Sequence, residues 1–138
     1  MKKLIYERNY ERLEAFLGGN LKEVFEKYSY IKLKANGFMD LNIDILDNSK
    51  LAMAHNYEQN GDLVPDPDME IEVNFEMKMI ETLSMQNIYG YLEVYTFDEG
   101  GKKKGVYPER KKELNEFLET WLKNLKSQGH KITEMEGK

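Results

Sequence analysis

The feature that most limits what this chain can fold into is a change of period near residue 28. Before it, apolar residues recur every three to four positions. Tyr6, Tyr10, Leu13, Phe16 and Leu17 fall on one stripe of a helix. Gly18-Gly19 ends that stripe, because glycine accepts the left-handed backbone that follows a helix. Asn20-Leu21-Lys22-Glu23 has capping-box spacing and opens a second, short helix with Leu21, Val24 and Phe25 on its apolar face. Beyond it the period drops to two. Ile31 and Leu33 alternate with Lys32 and Lys34, and Met39, Leu41, Ile43 and Ile45 alternate with Asp40, Asn42 and Asp44. Leu51, Met53, His55 and Tyr57 continue the pattern, as do Met69, Ile71, Val73, Phe75 and Met77 against Glu70, Glu72, Asn74 and Glu76. Strands with one wet and one buried face are the signature of an antiparallel sheet.

Residues 80–86 read as a weaker fifth strand and residues 89–97 as a sixth, with Leu92 and Val94 facing in. The glycine- and lysine-rich stretch 98–105 reads as a turn; it lacks the spacing of a phosphate-binding loop. Pro108 suits the first turn of a closing helix, whose apolar positions are Leu114, Phe117, Leu118, Trp121, Leu122 and Leu125. Gly129 ends it, and His130 is expected in solvent. Residues 131–138 show no period and are expected to fray. The order predicts one α+β domain over residues 1–130: two N-terminal helices, an antiparallel sheet of five or six strands, and a long C-terminal helix on one sheet face.

Composition narrows the chemistry. There is no cysteine, which excludes disulfides, thiolate catalysis and every cysteine-bearing metal site. Only Leu4, Ile5 and Tyr6 precede the return of charge at the start, and nowhere do 18 apolar residues run together, so a soluble, cytoplasmic protein without membrane contact is expected. The net charge of −5 is unevenly spread. Residues 40–81 carry eleven acids and two lysines, whereas the flanking segments are weakly positive. This pattern argues against direct nucleic-acid binding, which needs continuous positive charge, and favours a solvated face or a surface that meets a basic partner.

The least ordinary segment is residues 55–69. Asn60-Gly61-Asp62 is a turn signal, and Pro65 and Pro67 stiffen what surrounds them. A stiff acidic loop with His55, Tyr57, Glu58, Asn60, Asp62, Asp66 and Asp68 is the expected binding element. Its carboxylates could hold a hard divalent cation, although the spacing is not that of an EF-hand and His55 lacks the partner of a helical zinc motif. No catalytic constellation, metal or cofactor is assigned. His55 shares its register with Leu51 and Met53, which favours a hydrogen-bonded structural histidine. Tyr89, Tyr91, Tyr95 and Phe97 fall on one parity of the sixth strand, and an exposed aromatic row there is expected to be a protein interface, including one with a second copy of the chain.

The stretch from Ala54 through Met69 resembles the "YEQNGDL–DP" signature of a family of short, uncharacterised bacterial proteins that travel with phages and conjugative elements. Leu114 through Gly129 is similar to that family's "LN-FL--WL-NL--QG" ending, and the likeness spans residues 20–130. The glutamine-rich segment usual before the sixth strand is matched only loosely, by residues 85–89. The resemblance implies a mobile-element setting, in which small accessory proteins bind host or element proteins, and it supplies no catalytic residues. The expectation is therefore a non-enzymatic module that binds a protein partner through the acidic loop and an aromatic sheet face, Tyr91 and Tyr95 included. The alternatives are a metal-dependent hydrolase or nuclease built on residues 55–68, and an acidic mimic that blocks a nucleic-acid-binding protein.

Overall fold

A computed structural model describes residues 2–138, except for the side chains of residues 57–59 and 63–65. Helix α1 spans Ile5–Leu17 and α2 spans Leu21–Lys27. Gly18 sits at φ 73° and closes α1, while the Asn20 side chain accepts from the Glu23 N–H at 3.2 Å to start α2. Strands β1 (Tyr28–Lys34), β2 (Leu41–Ile45), β3 (Lys50–Gln59), β4 (Asp62–Asn74), β5 (Met79–Asn87) and β6 (Gly90–Glu93) follow. Next come β7 (Tyr95–Phe97), β8 (Lys103–Val106), helix α3 (Pro108–Gln128) and β9 (Lys131–Gly137). Among the described residues, seven strands form one antiparallel sheet in the order β6-β5-β4-β3-β2-β1-β9, and β7 and β8 pair separately.

All three helices bury their apolar stripes on one side of the sheet. Leu13, Ile31, Leu33, Leu41, Ile43, Leu51, Met53, Met69, Ile71 and Leu118 are fully excluded from solvent and join in a single core. Removing such side chains from water stabilises the fold by about 1.5–3 kcal/mol each. Phe25 of α2 packs edge-on against Phe75, with ring centres 5.1 Å apart. No helix among the described residues is long and apolar enough to cross a membrane.

Four expectations are corrected. The main sheet has seven strands, not five or six. Its extra strand is β9, formed by the segment expected to fray: it pairs with β1, and the Lys138 N–H reaches the Lys27 carbonyl at 3.1 Å. The pairing shifts register between Lys32 and Leu33, so Thr133 is extra and the apolar Ile132 and Met135 stand three residues apart. A bulge of this kind erases period two from the sequence. The expected sixth strand is broken at Val94, which is fully buried and bonds across to Leu83, so Tyr95 begins a different ladder. In α3 the face is rotated slightly. Phe117 is 40% exposed, and Asn115 takes a core position.

Asn115 is buried because the backbone of β5 needs it. The β4–β5 register shifts between Glu70 and Ile71, beside Thr82. The Asn115 side-chain oxygen accepts from the Thr82 N–H at 2.9 Å, and its amide donates to the Lys111 carbonyl at 2.7 Å. Asn9 of α1 donates to the Asn115 carbonyl at 3.2 Å, so one polar bridge joins both long helices to the sheet.

Candidate interaction surface

The face of the sheet away from the helices carries the polar half of each alternating strand. Register decides which of these side chains become neighbours. One row crosses the sheet through Tyr30, Asp44, Ala52, Glu70 and Ser84, ending on Glu136 of β9 and Glu93 of β6. The next row runs through Lys32, Asn42, Ala54, Asp68 and Gln86, ending on Glu134 and Tyr91. Directly opposed residues on adjacent strands lie about 5 Å apart. The two alanines of the central strand β3 therefore floor a shallow trough, walled by Asn42 and Asp44 on one side and Asp68 and Glu70 on the other.

The carboxylates in this trough carry the electrostatic mark of being gathered together. Partial burial pushes the Asp68 carboxyl above the usual range, and the neighbouring Asp44 and Glu70 push it further. Burial also raises Asp44. The Tyr30 hydroxyl is raised first by burial and then by Glu134, Asp44, Glu136 and Asp40, while it donates to the Asn42 side-chain oxygen. Lys32 and Lys34 stand 3.8 and 3.9 Å from the Asp40 carboxylate, at the border of the face.

The residues singled out in the sequence are dispersed by this geometry. Residues 55–69 are not a loop: β3 continues to Gln59, β4 starts at Asp62, and Asn60 (φ 52°) and Gly61 (φ 87°) make a two-residue hairpin turn. Asn60 and Asp62 are exposed at its tip, Asp66 is half-buried where the pairing slips between Ala54 and Asn56, and Asp68 belongs to the trough. Tyr57 and Glu58 lie outside the described residues as far as their side chains are concerned. Among the described residues, no three acidic or histidine side chains converge as a metal would require. Tyr91 is 55% exposed at the sheet edge, in the same row as Asp68. Tyr95 is buried and donates to Glu81 at 2.9 Å, so it is not part of an exposed aromatic row.

Tyr95 instead helps to fasten the β7–β8 hairpin. Lys103 of β8 bridges Glu72 at 2.7 Å and Glu81 at 2.8 Å and lies 4.4 Å from the Tyr95 ring centre. Burial acts to lower the Lys103 pKa, but the two carboxylates outweigh it and hold the ammonium charged well above its ordinary range.

His55 is buried on the helix side, between β3 and α3. Its Nε2 accepts from the Trp121 indole N–H at 3.1 Å, and its Nδ1 lies 2.9 Å from the Asp40 carbonyl. An indole nitrogen only donates, so Nε2 is the bare nitrogen and Nδ1 carries the proton. His130 is buried too, contrary to expectation. Its two ring nitrogens meet the carbonyls of Met39 (2.9 Å) and Leu125 (3.3 Å).

On the opposite side of the molecule, α1 and α3 carry bases and acids together, Glu11 included. A cleft of about 710 Å³ between α1 and α3 is rimmed by Lys3, Arg8, Arg12, Lys123 and Lys126, with Leu122 and Ala15 among its apolar lining. Arg8 and Arg12 both bond one oxygen of Glu119, at 2.9 and 2.8 Å. The hydrogen bond from Arg8 holds the Glu119 carboxyl below its usual range.

Asp44, Glu70, Glu93, Glu134 and Glu136 were not singled out in the sequence. Alternation puts each on a wet face, but only the strand order puts them on the same face as Asp68, with Asp44 and Glu70 close enough to act on it. With this geometry in place, the comparisons are plain. Residues 8–131 match the family described as Domain of unknown function (DUF6908), and the chain belongs to it. Searches of curated proteins and of solved structures find no match.

Proposed function

We propose that this protein is a non-enzymatic binding module, an accessory protein of a bacterial mobile element or phage, that takes a basic segment of a protein partner on its helix-free sheet face. The observation that carries this reading is the gathering of Asp44, Asp68 and Glu70 beside a floor of alanines, with Glu93, Glu134 and Glu136 on the edge strands of the same face. A lysine- or arginine-bearing strand or helix laid along β3 would meet carboxylates on both sides while its stem methylenes cover Ala52 and Ala54. Tyr91 supplies an amphipathic rim. The bacterial and mobile-element setting follows from the resemblance of residues 54–69 and 114–129 to the signature segments described above.

The test is titration with a synthetic lysine- and arginine-rich peptide, followed by backbone amide shifts. Shifts are expected along β2, β3 and β4, with an affinity that falls steeply as salt is raised, because separated surface charges are screened. Asp44→Lys combined with Asp68→Lys should abolish binding, and Glu11→Lys on the opposite side should leave it intact. Shifts on the helix side, or binding unaffected by the double charge reversal, would sink the reading.

A further inference from the structure

His55 and His130 hold one surface turn to the end of one helix. The turn between β1 and β2 is exposed at Phe38 (50%) and Met39 (46%), yet the two successive carbonyls that follow, Met39 O and Asp40 O, are each held by a buried imidazole. The same two rings reach α3: His130 through the Leu125 carbonyl, and His55 through the Trp121 indole. The rings stand 5.9 Å apart, and His55 meets Trp121 edge-on at 5.4 Å.

This arrangement fits only one protonation state of His55. Both of its nitrogens are engaged, one as donor and one as acceptor. A second proton would set an imidazole N–H against an indole N–H, two donors 3.1 Å apart with nothing to accept. It would also place a charge between β3 and α3. The groups that act on His55 from the packed elements are Asp40 in the β1–β2 turn and Asp66 in β4, which favour the cation, and His130 beyond α3, which opposes it; α3 itself presents the indole. Burial is the largest effect and lowers the His55 pKa, while the Asp40 carbonyl only partly offsets it. The folded state therefore binds this proton less readily than the unfolded chain. The strain sets in as pH falls below the ordinary imidazole value of about 6.5.

We propose that His55 is an acid-sensitive latch: taking up a proton at Nε2, it releases the Trp121 indole and opens the contact between β3 and α3, exposing Trp121 to water. The ring can shed the clash by turning its charged edge outward, which costs the Asp40 bond, while His130 still joins the Met39 and Leu125 carbonyls. The surrounding core, built on Leu33, Leu41, Met53, Leu118 and Leu122, is apolar.

The experiment is direct because Trp121 is the only tryptophan in the chain. Its emission is followed as pH is lowered from about 7.5 to about 5, with far-UV circular dichroism recorded in parallel. The expected result is a reversible red shift with the secondary structure retained. His55→Gln keeps an acceptor for the indole and cannot take the proton, so its emission should stay flat, whereas His130→Gln should keep the step. A flat response in the natural protein, or an unchanged step in His55→Gln, overturns the proposal. Should a variant fail to fold, nitrogen-resolved NMR of the histidines in the natural protein decides. A proton on Nδ1 of His55 near pH 7.5, and an indole N–H resonance that moves with His55 titration, are expected. A proton on Nε2, or an indole resonance that ignores the titration, overturns it equally.

Discussion

The two faces of strands β2 to β5 are made from neighbouring residues of the same segments, yet they answer to different physics. On one face Ile43, Met53, Met69 and Ile71 are sealed beneath α1 and α3 with no exposure. On the other, one residue away along each strand, Asp44 is exposed and Ala52, Ala54, Asp68 and Glu70 are half-buried, with no helix above them. The first face is defined by volume, because a close-packed interior registers even one missing methylene. The second is defined by charge and by the smallness of two alanines, and burial energy has little hold on it. A sheet of this kind can therefore keep its fold while its open face is rewritten.

That contrast can be broken or sharpened experimentally. The largest effect is expected on the sealed face: Met53→Ala should cost about 3 kcal/mol in denaturant unfolding. Ala54→Ser, one position along on the open face, should change stability by less than about 0.5 kcal/mol. Equal costs would mean that the open face is packed after all. Next in size is Asn115→Leu. It removes the acceptor of the buried Thr82 N–H at the β5 bulge, and a loss of about 2 kcal/mol is expected, with faster amide exchange at Thr82.

The third effect is smaller and has a sign that depends on pH. Asp44 and Asp68 have folded-state pKa values above their unfolded ones, so the folded state binds protons more readily. The protons they take up stabilise the fold at acidic pH, and that contribution is lost as pH rises through the folded pKa. Asp68→Asn should accordingly be slightly more stable than the natural protein near pH 7, by about 0.5 kcal/mol or less, and show no gain near pH 3. Thermal unfolding at the two pH values measures it. A loss at pH 7 would show that Asp68 has a cationic partner and that the face is not an unmatched acidic surface. The smallest effect is local: Lys103→Met should leave global stability within about 1 kcal/mol but speed amide exchange in the β7–β8 hairpin, since partly exposed ion pairs contribute little to the whole fold.

The acidic surface was half legible in the sequence. A balance of −9 over residues 40–81 stands out from the residues alone, and the alternation assigns Asp44, Asp68 and Glu70 to wet faces. Two prolines and an Asn-Gly pair make residues 55–69 resemble a loop, whereas the turn occupies only Asn60 and Gly61 between two strands. Tyr95 was misplaced for a similar reason. Parity carries along a strand only while the strand lasts, and the chain leaves its ladder at Val94. His55 was correctly assigned a structural, hydrogen-bonded role from its register with Leu51 and Met53, but its partners Asp40 and Trp121 come from distant parts of the chain.

Local chemistry determined the helices, strands β1 to β5, the Asn20 cap and the Gly18 and Gly129 stops, because each depends on side chains within a turn or two of one another. The tertiary structure alone decided which strands stand side by side, that β9 completes the sheet, that Asn115 replaces Phe117 in the core, and that six scattered carboxylates share one face. Those outcomes depend on register and bulges. A shift of one residue in a strand moves every side chain to the other face, and the partner that sets the shift lies tens of residues away.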